Sequence, residues 1–289
     1  MQKKLNKIAK DINFFLKNYL NKQKKTKLLS SMKYGLLPGG KKIRSKILLD
    51  VGKIFNVDRK LLLRTGAAVE CIHAYSLIHD DLPCMDNDDF RRGKLSTHKK
   101  FGESTAVLAG NSLLTLAFEI LSHNYLKLNN SILNSLIYLI SKSSGHEGIA
   151  GGQYLDLNFE NKKISIKKII DMEIKKTGKL FSFCCAAPLI IANKNKEINK
   201  FTMIGENIGL LFQIADDLID FKGNSKIAGK KTMKDQKKGK ATLIGLLGYK
   251  NTIKYAEKLK LKIFKDLTVY GNKSKDLKET VQYILDREK

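Results

Sequence analysis

The segment HDDLPCMDNDDFRRG, residues 79–93, concentrates carboxylates in a chain that is otherwise strongly basic, with a formal net charge of +26. Five aspartates fall between Asp80 and Asp89 with no cation among them, and Arg91 and Arg92 follow at once. Unneutralised, each close exposed pair of carboxylates costs about 1 kcal/mol, and a buried pair costs more. Mg²⁺ takes oxygen ligands and is usually held by one or two carboxylates plus substrate phosphates. The segment therefore predicts a site for hard divalent cations.

A second acidic group lies in the sequence QIADDLID, which holds Asp216, Asp217 and Asp220. Residues i and i+4 of a helix share one face with Cβ atoms about 5–6 Å apart, so we expect Asp216 and Asp220 to point the same way.

Both acidic groups are expected at the C-terminal ends of apolar, buried helices. Asp80 and Asp81 fall in the last predicted helical turn, Pro83 prevents a regular continuation, and Asp86 follows after the break. The negative end of the helix dipole is an unfavourable place for carboxylates, and bound cations would remove that penalty. A single acidic cluster is more often a solvated surface or a helix cap, but two clusters so placed favour metal binding.

The sequence PGGKKIRS, residues 38–45, places Lys41 and Arg44 three residues apart at a predicted helix start, where free backbone N–H groups bind anions. GLLPGGKK approaches the spacing of a Walker A loop. Lys42 stands where Ser or Thr is required, however, and the preceding KLLSSMKY is typical of a helix rather than a strand. We therefore exclude a P-loop NTPase and expect a helix-start site for a diphosphate.

Lysine alone carries little information here, because the chain has 48 Lys and only 6 Arg. The lysines are spread through the chain alongside many Asn and Ile, which favours A/T-rich codon usage over nucleic-acid binding as the origin of the charge. Arginines beside glycine turns or the acidic segment carry more weight. The further candidate anion ligands are Arg91, Arg92, Lys176 in KKTGKL, Lys230 in AGKKT and Lys240 in GKAT.

Helical periodicity runs from end to end and predicts an all-α fold in a single domain, residues 1–289. No run approaches the roughly 18 uncharged apolar residues of a membrane span, so no membrane span is expected. Four cysteines without metal-site spacing favour reduced thiols and a cytoplasmic protein. Helices are predicted over roughly 2–20, 42–55, 60–82, 104–127, 131–145, 165–192, 198–221, 241–265 and 274–287.

Together these residues resemble the trans-isoprenyl diphosphate synthases, most nearly the bacterial farnesyl diphosphate synthases (geranyltranstransferases). The resemblance runs from GGKKIRS to the terminal YILDREK and includes GHEGIAGGQYLDL at residues 145–157. Either aspartate motif alone is a weak signal, but both in order, with the basic elements between them, are highly specific. Two positions depart from the family pattern, since Lys42 replaces the commoner arginine and Ser45 replaces the usual proline.

The resemblance implies a large helical bundle of the isoprenoid synthase type around a central substrate cavity, usually a homodimer. It also implies Mg²⁺, with Mn²⁺ as an alternative ion, bridging the allylic diphosphate. The implied metal ligands are Asp80, Asp81, Asp86, Asp216, Asp217 and Asp220. The implied ligands of the allylic diphosphate are Arg91, Lys176, Thr177, Gln213, Lys230 and Lys240. Those of isopentenyl diphosphate are Lys41, Arg44, His73 and Arg92.

The expected reaction condenses isopentenyl diphosphate with dimethylallyl and geranyl diphosphate by ionisation, condensation and elimination. Metal ions and basic side chains stabilise the departing diphosphate, so no nucleophilic residue is required. In the resembled family an aromatic residue at the position of Tyr75 closes the pocket in enzymes that stop at fifteen carbons. Tyr75 lies about 7.5 Å along the helix before Asp80, and farnesyl diphosphate is therefore the expected product.

Several alternatives stay open at this point. A geranylgeranyl or geranyl diphosphate synthase of the same family would share every motif. A terpene cyclase would not need Lys41, Arg44, His73 and Arg92, and a non-catalytic partner subunit would be expected to have lost one motif. A basic nucleic-acid-binding protein predicts clustered cations interleaved with aromatics, which the sequence does not contain.

Overall fold

The structure, a computed structural model, describes residues 1–37, 39–123, 127–226 and 242–287. Its helices in the first half of the chain are α1 (Gln2–Asn21), α2 (Lys27–Leu36), α3 (Ile43–Ile54), α4 (Arg59–Asp80), α5 (Thr97–Phe101), α6 (Glu103–Ser122) and α7 (Asn130–Ser144). Those in the second half are α8 (Ile149–Phe159), α9 (Ile166–Glu173), α10 (Lys179–Ile191), α11 (Asn195–Lys226), α12 (Leu243–Leu247), α13 (Tyr249–Asp266) and α14 (Lys275–Asp286). A π-helical turn (Ile174–Gly178) joins α9 to α10, and a 3₁₀ segment (Thr268–Ser274) precedes α14.

The predicted all-α class is confirmed. The only strands in the described ranges are β1 (Phe90–Arg91) and β2 (Lys94–Leu95), which pair antiparallel with Phe90 opposite Leu95. A hairpin this short carries no sheet core, so the fold is stabilised by helix packing.

The chain divides into two compact units. The first comprises Met1–Tyr138 with Ala187–Lys194, and the second comprises Leu139–Ala186 with Asn195–Lys289. In the first unit α4 packs against α1, α2, α3 and α6. Its apolar residues lie all round the helix, and the run from Ala67 to Ile72 is almost wholly inaccessible to solvent. A helix with apolar residues on every face is expected in the protein interior, and α4 is buried as this pattern predicts.

In the second unit α11 occupies the corresponding role. It packs against α9, the π-helical turn, α13 and α14. Its residues Phe201, Ile204, Ile208 and Leu211 are completely buried. The two helices that carry the aspartate motifs are therefore both core helices of their units.

Three predicted helices differ from the structure in instructive ways. The predicted helix over 241–265 is divided into α12 and α13 at Gly248, whose φ is +74°. The predicted helix over 165–192 is broken by the π-helical turn into α9 and α10. The predicted helix over 198–221 continues to Lys226, past a Gly-Asn pair that usually signals a turn. A glycine inside a helix costs only about 1 kcal/mol relative to alanine, which packing elsewhere on the helix readily offsets.

Among the described residues, α4 and α6 are long and apolar enough to cross a membrane by length and composition alone. Their best 18-residue windows have mean hydropathies of 1.2 and 1.4, and 72% and 44% of those windows are buried inside the protein. Core helices of soluble proteins have the same character, and the absence of a membrane span stays a prediction.

Candidate functional site

The first aspartate motif lies where α4 ends. Asp80 is the last residue of α4 and Asp81 is its C-cap. The loop that follows turns back on the helix end, because the Asp86 N–H donates to the carbonyl of Asp80 at 2.8 Å and the Asp88 N–H donates to that of Asp81 at 3.2 Å. The loop thus returns Asp86 to the helix end as predicted, and the carboxylates sit at the negative end of the helix dipole.

Asp81 and Arg91 form an ion pair within this motif. Asp81 is 2% exposed, and Arg91 Nε donates to its Oδ1 at 2.9 Å while Arg91 Nη2 donates to the same carboxylate. Burial raises the pKa of Asp81, and the hydrogen bonds from Arg91 oppose that rise. Burial alone would lower the pKa of Arg91, but the bonds and charge of Asp81 raise it. The raised pKa keeps Arg91 a cation beside the Asp81 carboxyl group. We call Asp80, Asp81, Asp86 and Arg91 the first-motif cluster.

A second group of side chains in the first unit surrounds the turn before α3. Gly39 and Gly40 have φ values of +71° and +83°, and a Cβ on Gly40 would lie 3.0 Å from the guanidinium of Arg92. Glycine permits both the left-handed backbone and the close approach of the arginine. Arg92 therefore packs on the segment that leads directly into Lys41.

Arg44 and His73 meet across the α3–α4 contact, with Arg44 Nη1 3.2 Å from His73 Nε2. A guanidinium only donates, so His73 accepts at Nε2 and its proton sits on Nδ1. Burial, followed by the charges of Arg44 and Arg92, lowers the pKa of His73 well below its usual value. His73 is therefore neutral. We call Lys41, Arg44, His73 and Arg92 the basic cluster.

Tyr75 lies on α4 one turn before His79, and the two rings contact edge to face with centroids 5.7 Å apart. The side chain is 8% exposed. Burial and the charge of Asp80 raise the pKa of Tyr75 to about 12, so the phenol stays neutral. A bulky, buried ring at this point of α4 has the size needed to close the expected substrate pocket.

The second aspartate motif lies inside α11 rather than at its end, which corrects the expected placement. Asp216, Asp217 and Asp220 all precede the last residue of α11, Lys226. The dipole penalty invoked for this motif therefore does not apply, because that effect is confined to the last turn. Asp220 is exposed, whereas Asp217 is 8% exposed and accepts from Gln213 Nε2 at 3.1 Å.

The π-helical turn presents Lys176 and Thr177 in the second unit. Lys176 Nζ donates to Asp156 of α8 at 2.5 Å, and Thr177 Oγ1 lies 3.4 Å from Oε1 of Gln213. A Cβ on Gly152 would come within 2.1 Å of the Lys176 backbone nitrogen, so only glycine lets α8 approach this closely. Single π-helical turns are frequent at functional sites. We call Asp216, Asp217, Asp220, Lys176, Thr177 and Gln213 the second-motif cluster.

Two residues outside the predicted set contact the second-motif cluster. Arg287 Nη2 donates to Asp216 Oδ1 at 2.6 Å, and its guanidinium lies 3.9 Å from the centre of the Phe212 ring. Asp156 pairs with Lys176. Arg287 could have been found as one of only six arginines, and Asp156 as an acidic residue within the largely apolar sequence GGQYLDL.

Two predicted allylic ligands, Lys230 and Lys240, lie outside the described residues. Within the described ranges, no three His, Cys, Asp or Glu side chains converge as a preformed metal centre. Asp81 and Asp216 each bond an arginine instead, Arg91 and Arg287 respectively.

Comparison with known proteins gives three strong similarities. A sequence profile described as polyprenyl synthetase matches residues 25–284. The farnesyl diphosphate synthase of Micrococcus luteus is 37% identical over 292 residues, covering 100% of both chains. The crystal structure of an FPP/GFPP synthase from Zymomonas mobilis is 37% identical with a TM-score of 0.88, covering 97% of both chains.

A solved structure also carries ligands. The geranyltransferase of Helicobacter pylori, complexed with magnesium and isoprenyl diphosphate, is 28% identical with a TM-score of 0.80. The similarity covers 98% of this chain and 96% of that one.

Proposed function

Because the chain belongs to the polyprenyl synthetase family, we propose that it condenses isopentenyl diphosphate with dimethylallyl and then geranyl diphosphate to give farnesyl diphosphate. The reaction class is prenyl transfer in isoprenoid synthesis. Relatives with full-length similarity carry the farnesyl diphosphate synthase name, and the family profile spans nearly the whole chain. That span also supports a single isoprenyl diphosphate synthase domain over residues 1–289.

The observation that carries this proposal is the basic cluster beside the first-motif cluster in one unit. Lys41, Arg44 and Arg92 supply cations, and the α3 start adds free N–H groups suited to a diphosphate. An enzyme that only cyclises an allylic diphosphate has no use for a second diphosphate site. The basic cluster therefore supports condensation with isopentenyl diphosphate over cyclisation.

Magnesium is the proposed cofactor, supported by the Helicobacter pylori complex. The residues present suit the ion in chemical type, because each motif offers neighbouring carboxylate oxygens and Mg²⁺ fills the rest of its octahedron with water and phosphate oxygens. Bound Mg²⁺ would neutralise charge on the departing diphosphate. Mn²⁺, which takes the same oxygen ligands, is the proposed alternative ion. The proposed holders are Asp80, Asp81, Asp86, Asp216, Asp217 and Asp220.

The remaining residues bind, orient and shield the reactants. Arg91 and Lys176 stabilise the negative charge that grows on the departing allylic diphosphate, with Lys230 and Lys240 as further ligands. Thr177 and Gln213 present their polar oxygens beside Lys176. The C1–O bond of the allylic substrate breaks, and the isopentenyl double bond attacks C1. The released diphosphate takes the proton that is then lost from C2 of the isopentenyl unit. The apolar side chains of α4, among them Tyr75 and Ile78, are suited to exclude water from the cation.

We also propose a cytoplasmic homodimer without a nucleic-acid partner. The α6 helix supports the dimer, because its best window has a mean hydropathy of 1.4 while only 44% of it is buried within one chain. Its Leu108 is 54% exposed. A second copy of the chain would cover such a face. Sedimentation equilibrium should return twice the chain mass of 32.6 kDa.

The test of the function is product analysis. Pure protein with isopentenyl and geranyl diphosphates and Mg²⁺ should yield the fifteen-carbon diphosphate. Tyr75→Ala removes a buried ring and should shift the output to twenty carbons or longer while the first condensation is retained. Tyr75→Phe is the matched control, because it keeps the ring and should still stop at fifteen carbons. A twenty-carbon product from the unaltered protein would favour the geranylgeranyl alternative. A fifteen-carbon product from Tyr75→Ala would mean that Tyr75 does not control chain length.

A further inference from the structure

Glu70 is a buried acid of α4 to which the proposed reaction assigns no role. It is 3% exposed. Ser45 Oγ donates to its Oε1 at 2.7 Å, and Lys42 Nζ lies 3.3 Å from its Oε2. Both carboxylate oxygens are therefore held by the same short segment, the start of α3.

The backbone of that segment needs such a hold. Lys42 is the N-cap of α3 and has φ 51° and ψ 43°, a left-handed conformation that costs a residue with a Cβ about 1–2 kcal/mol. Its Nζ also donates to the Leu36 carbonyl at the end of α2, 3.2 Å away. One buried ammonium group thus ties the end of α2, the left-handed turn and Glu70 together. Lys41 and Arg44 lie on either side of this anchor.

The charges around Glu70 explain why an acid stands there. Arg44 and Arg92 approach His73 closely enough to lower its pKa, and Lys42 acts in the same direction. Partial burial lowers the pKa of Arg92, and the Glu70 carboxylate opposes that shift. Cations gathered for a diphosphate repel one another when it is not bound. Glu70 lies on α4 three residues before His73, and its carboxylate supplies a negative charge that offsets this repulsion.

From these contacts we propose that Glu70 is a positioning residue of the isopentenyl diphosphate site, holding the 39–45 turn through Lys42 and Ser45. The inference rests on the proposed function. It also accounts for the two departures from the family pattern, because Lys42 and Ser45 bond the same carboxylate. A proline at position 45 would restrict φ by its ring, whereas Ser45 secures the turn by a hydrogen bond.

The decisive variant is Glu70→Gln, which keeps the side-chain shape and a partner for Ser45 but leaves the Lys42 ammonium without a counter-charge. The KM for isopentenyl diphosphate should rise at least about tenfold, because breaking a buried pair disturbs the groups that it holds. The KM for geranyl diphosphate should stay within about twofold, since the hydrogen bond and the ion pair described for Glu70 both go to the 39–45 turn. Calorimetric titration with isopentenyl diphosphate alone should show the same loss of affinity without any turnover.

The matched control is Asp50→Asn. Asp50 pairs with Lys46 on the same α3 helix, and the two residues are 5% and 2% exposed. This change breaks an equally buried ion pair whose two members both lie within α3. It should lower Tm while both KM values stay unchanged. Lys42→Arg, made in the otherwise unaltered protein, keeps a cation opposite Glu70. It should retain isopentenyl diphosphate binding to within about twofold of the unaltered protein.

A folded Glu70→Gln protein with neither KM changed, or with both raised equally, would overturn the positioning role. If Glu70→Gln does not fold, Ser45→Ala decides, because it removes one bond to Glu70 and must raise the isopentenyl KM alone. An unaltered protein that neither binds isopentenyl diphosphate nor condenses it would instead refute the proposed function.

Discussion

The first aspartate motif ends a helix and continues into a loop, whereas the second lies within one continuous helix. Asp80 and Asp81 close α4, and backbone bonds of the following loop return Asp86 to the helix end. Asp216 and Asp220 instead share a face of α11 at a separation of one turn. Similar carboxylate sets are therefore presented by two different local structures.

Their basic partners differ in the same way. Arg91 lies ten residues from Asp81 and reaches it through the hairpin that follows the loop. Arg287 lies 71 residues from Asp216, and Lys176 lies on a π-helical turn 20 residues from its partner Asp156. The first motif thus carries its own counter-charge nearby, while the second receives one from distant elements. We infer that the geometry of the first-motif cluster depends mainly on residues near it in sequence. The geometry of the second-motif cluster depends on the packing of the whole second unit.

The largest effect should come from removing one aspartate of either motif. Asp80→Ala and Asp216→Ala should each lower kcat by about a thousandfold, roughly 4 kcal/mol of barrier, because each removes a proposed metal ligand. Steady-state rates at saturating substrates measure this loss. Chelation of Mg²⁺ should abolish turnover for the unaltered protein.

The control for this pair is Asp89→Ala, in the same acidic segment. Asp89 is exposed and paired with Lys99, so its removal should change kcat by less than about twofold. Full activity in EDTA would contradict a need for Mg²⁺. Equal losses of kcat for Asp89→Ala and Asp80→Ala would mean that Asp80 contributes no more than an exposed carboxylate nearby.

A smaller effect should separate the two units by substrate. Arg44→Met or His73→Gln in the first unit should raise the KM for isopentenyl diphosphate about tenfold through loss of charge-assisted bonds. Lys176→Met in the second unit should raise the KM for geranyl diphosphate instead. Both KM values are measured for every variant. If changes in both units raise the KM for the same substrate, the assignment of the diphosphate ligands is wrong.

The smallest effect concerns pH and belongs to the first unit. The pKa of His73 is lowered in the fold, so below pH 6.5 the unfolded chain binds a proton that the folded chain does not. Stability is therefore lost as pH falls, by about 1 kcal/mol from this residue between pH 6.5 and 5.5. Urea unfolding at the two pH values should show this loss, and His73→Gln should reduce it by that amount. An identical loss in the variant would mean that burial and the charges of Arg44 and Arg92 do not hold His73 neutral in the folded protein.

Much of the first-motif cluster and of the basic cluster could be predicted from local sequence. Pro83 after two aspartates predicts a helix end, and glycines 39 and 40 before Lys41 predict a turn that opens a helix. Both features depend on the backbone preferences of neighbouring residues, which a sequence expresses directly. The burial of α4 and α11 follows equally from hydrophobicity without a polar face.

The π-helical turn at residues 174–178 could not be predicted in this way. Its sequence, IKKTG, carries no local signal that separates a π-helical turn from an α-helical one, and the turn forms where α8 and α11 each pack closely against it. Glycines allow that approach, since a Cβ on Gly209 would meet the Gly178 Cα at 2.5 Å. Such contacts join residues far apart in sequence, and no local preference encodes them.

The sequence by itself determined the helical class, the two aspartate motifs and the basic residues beside glycine turns, because periodicity and spacing are local properties. Only the tertiary structure decided which carboxylate faces which cation. It paired Asp216 with Arg287, Asp156 with Lys176, and Glu70 with Lys42. Ion pairs form wherever folding brings opposite charges into a buried, weakly screened space, and that proximity is a property of the packed chain.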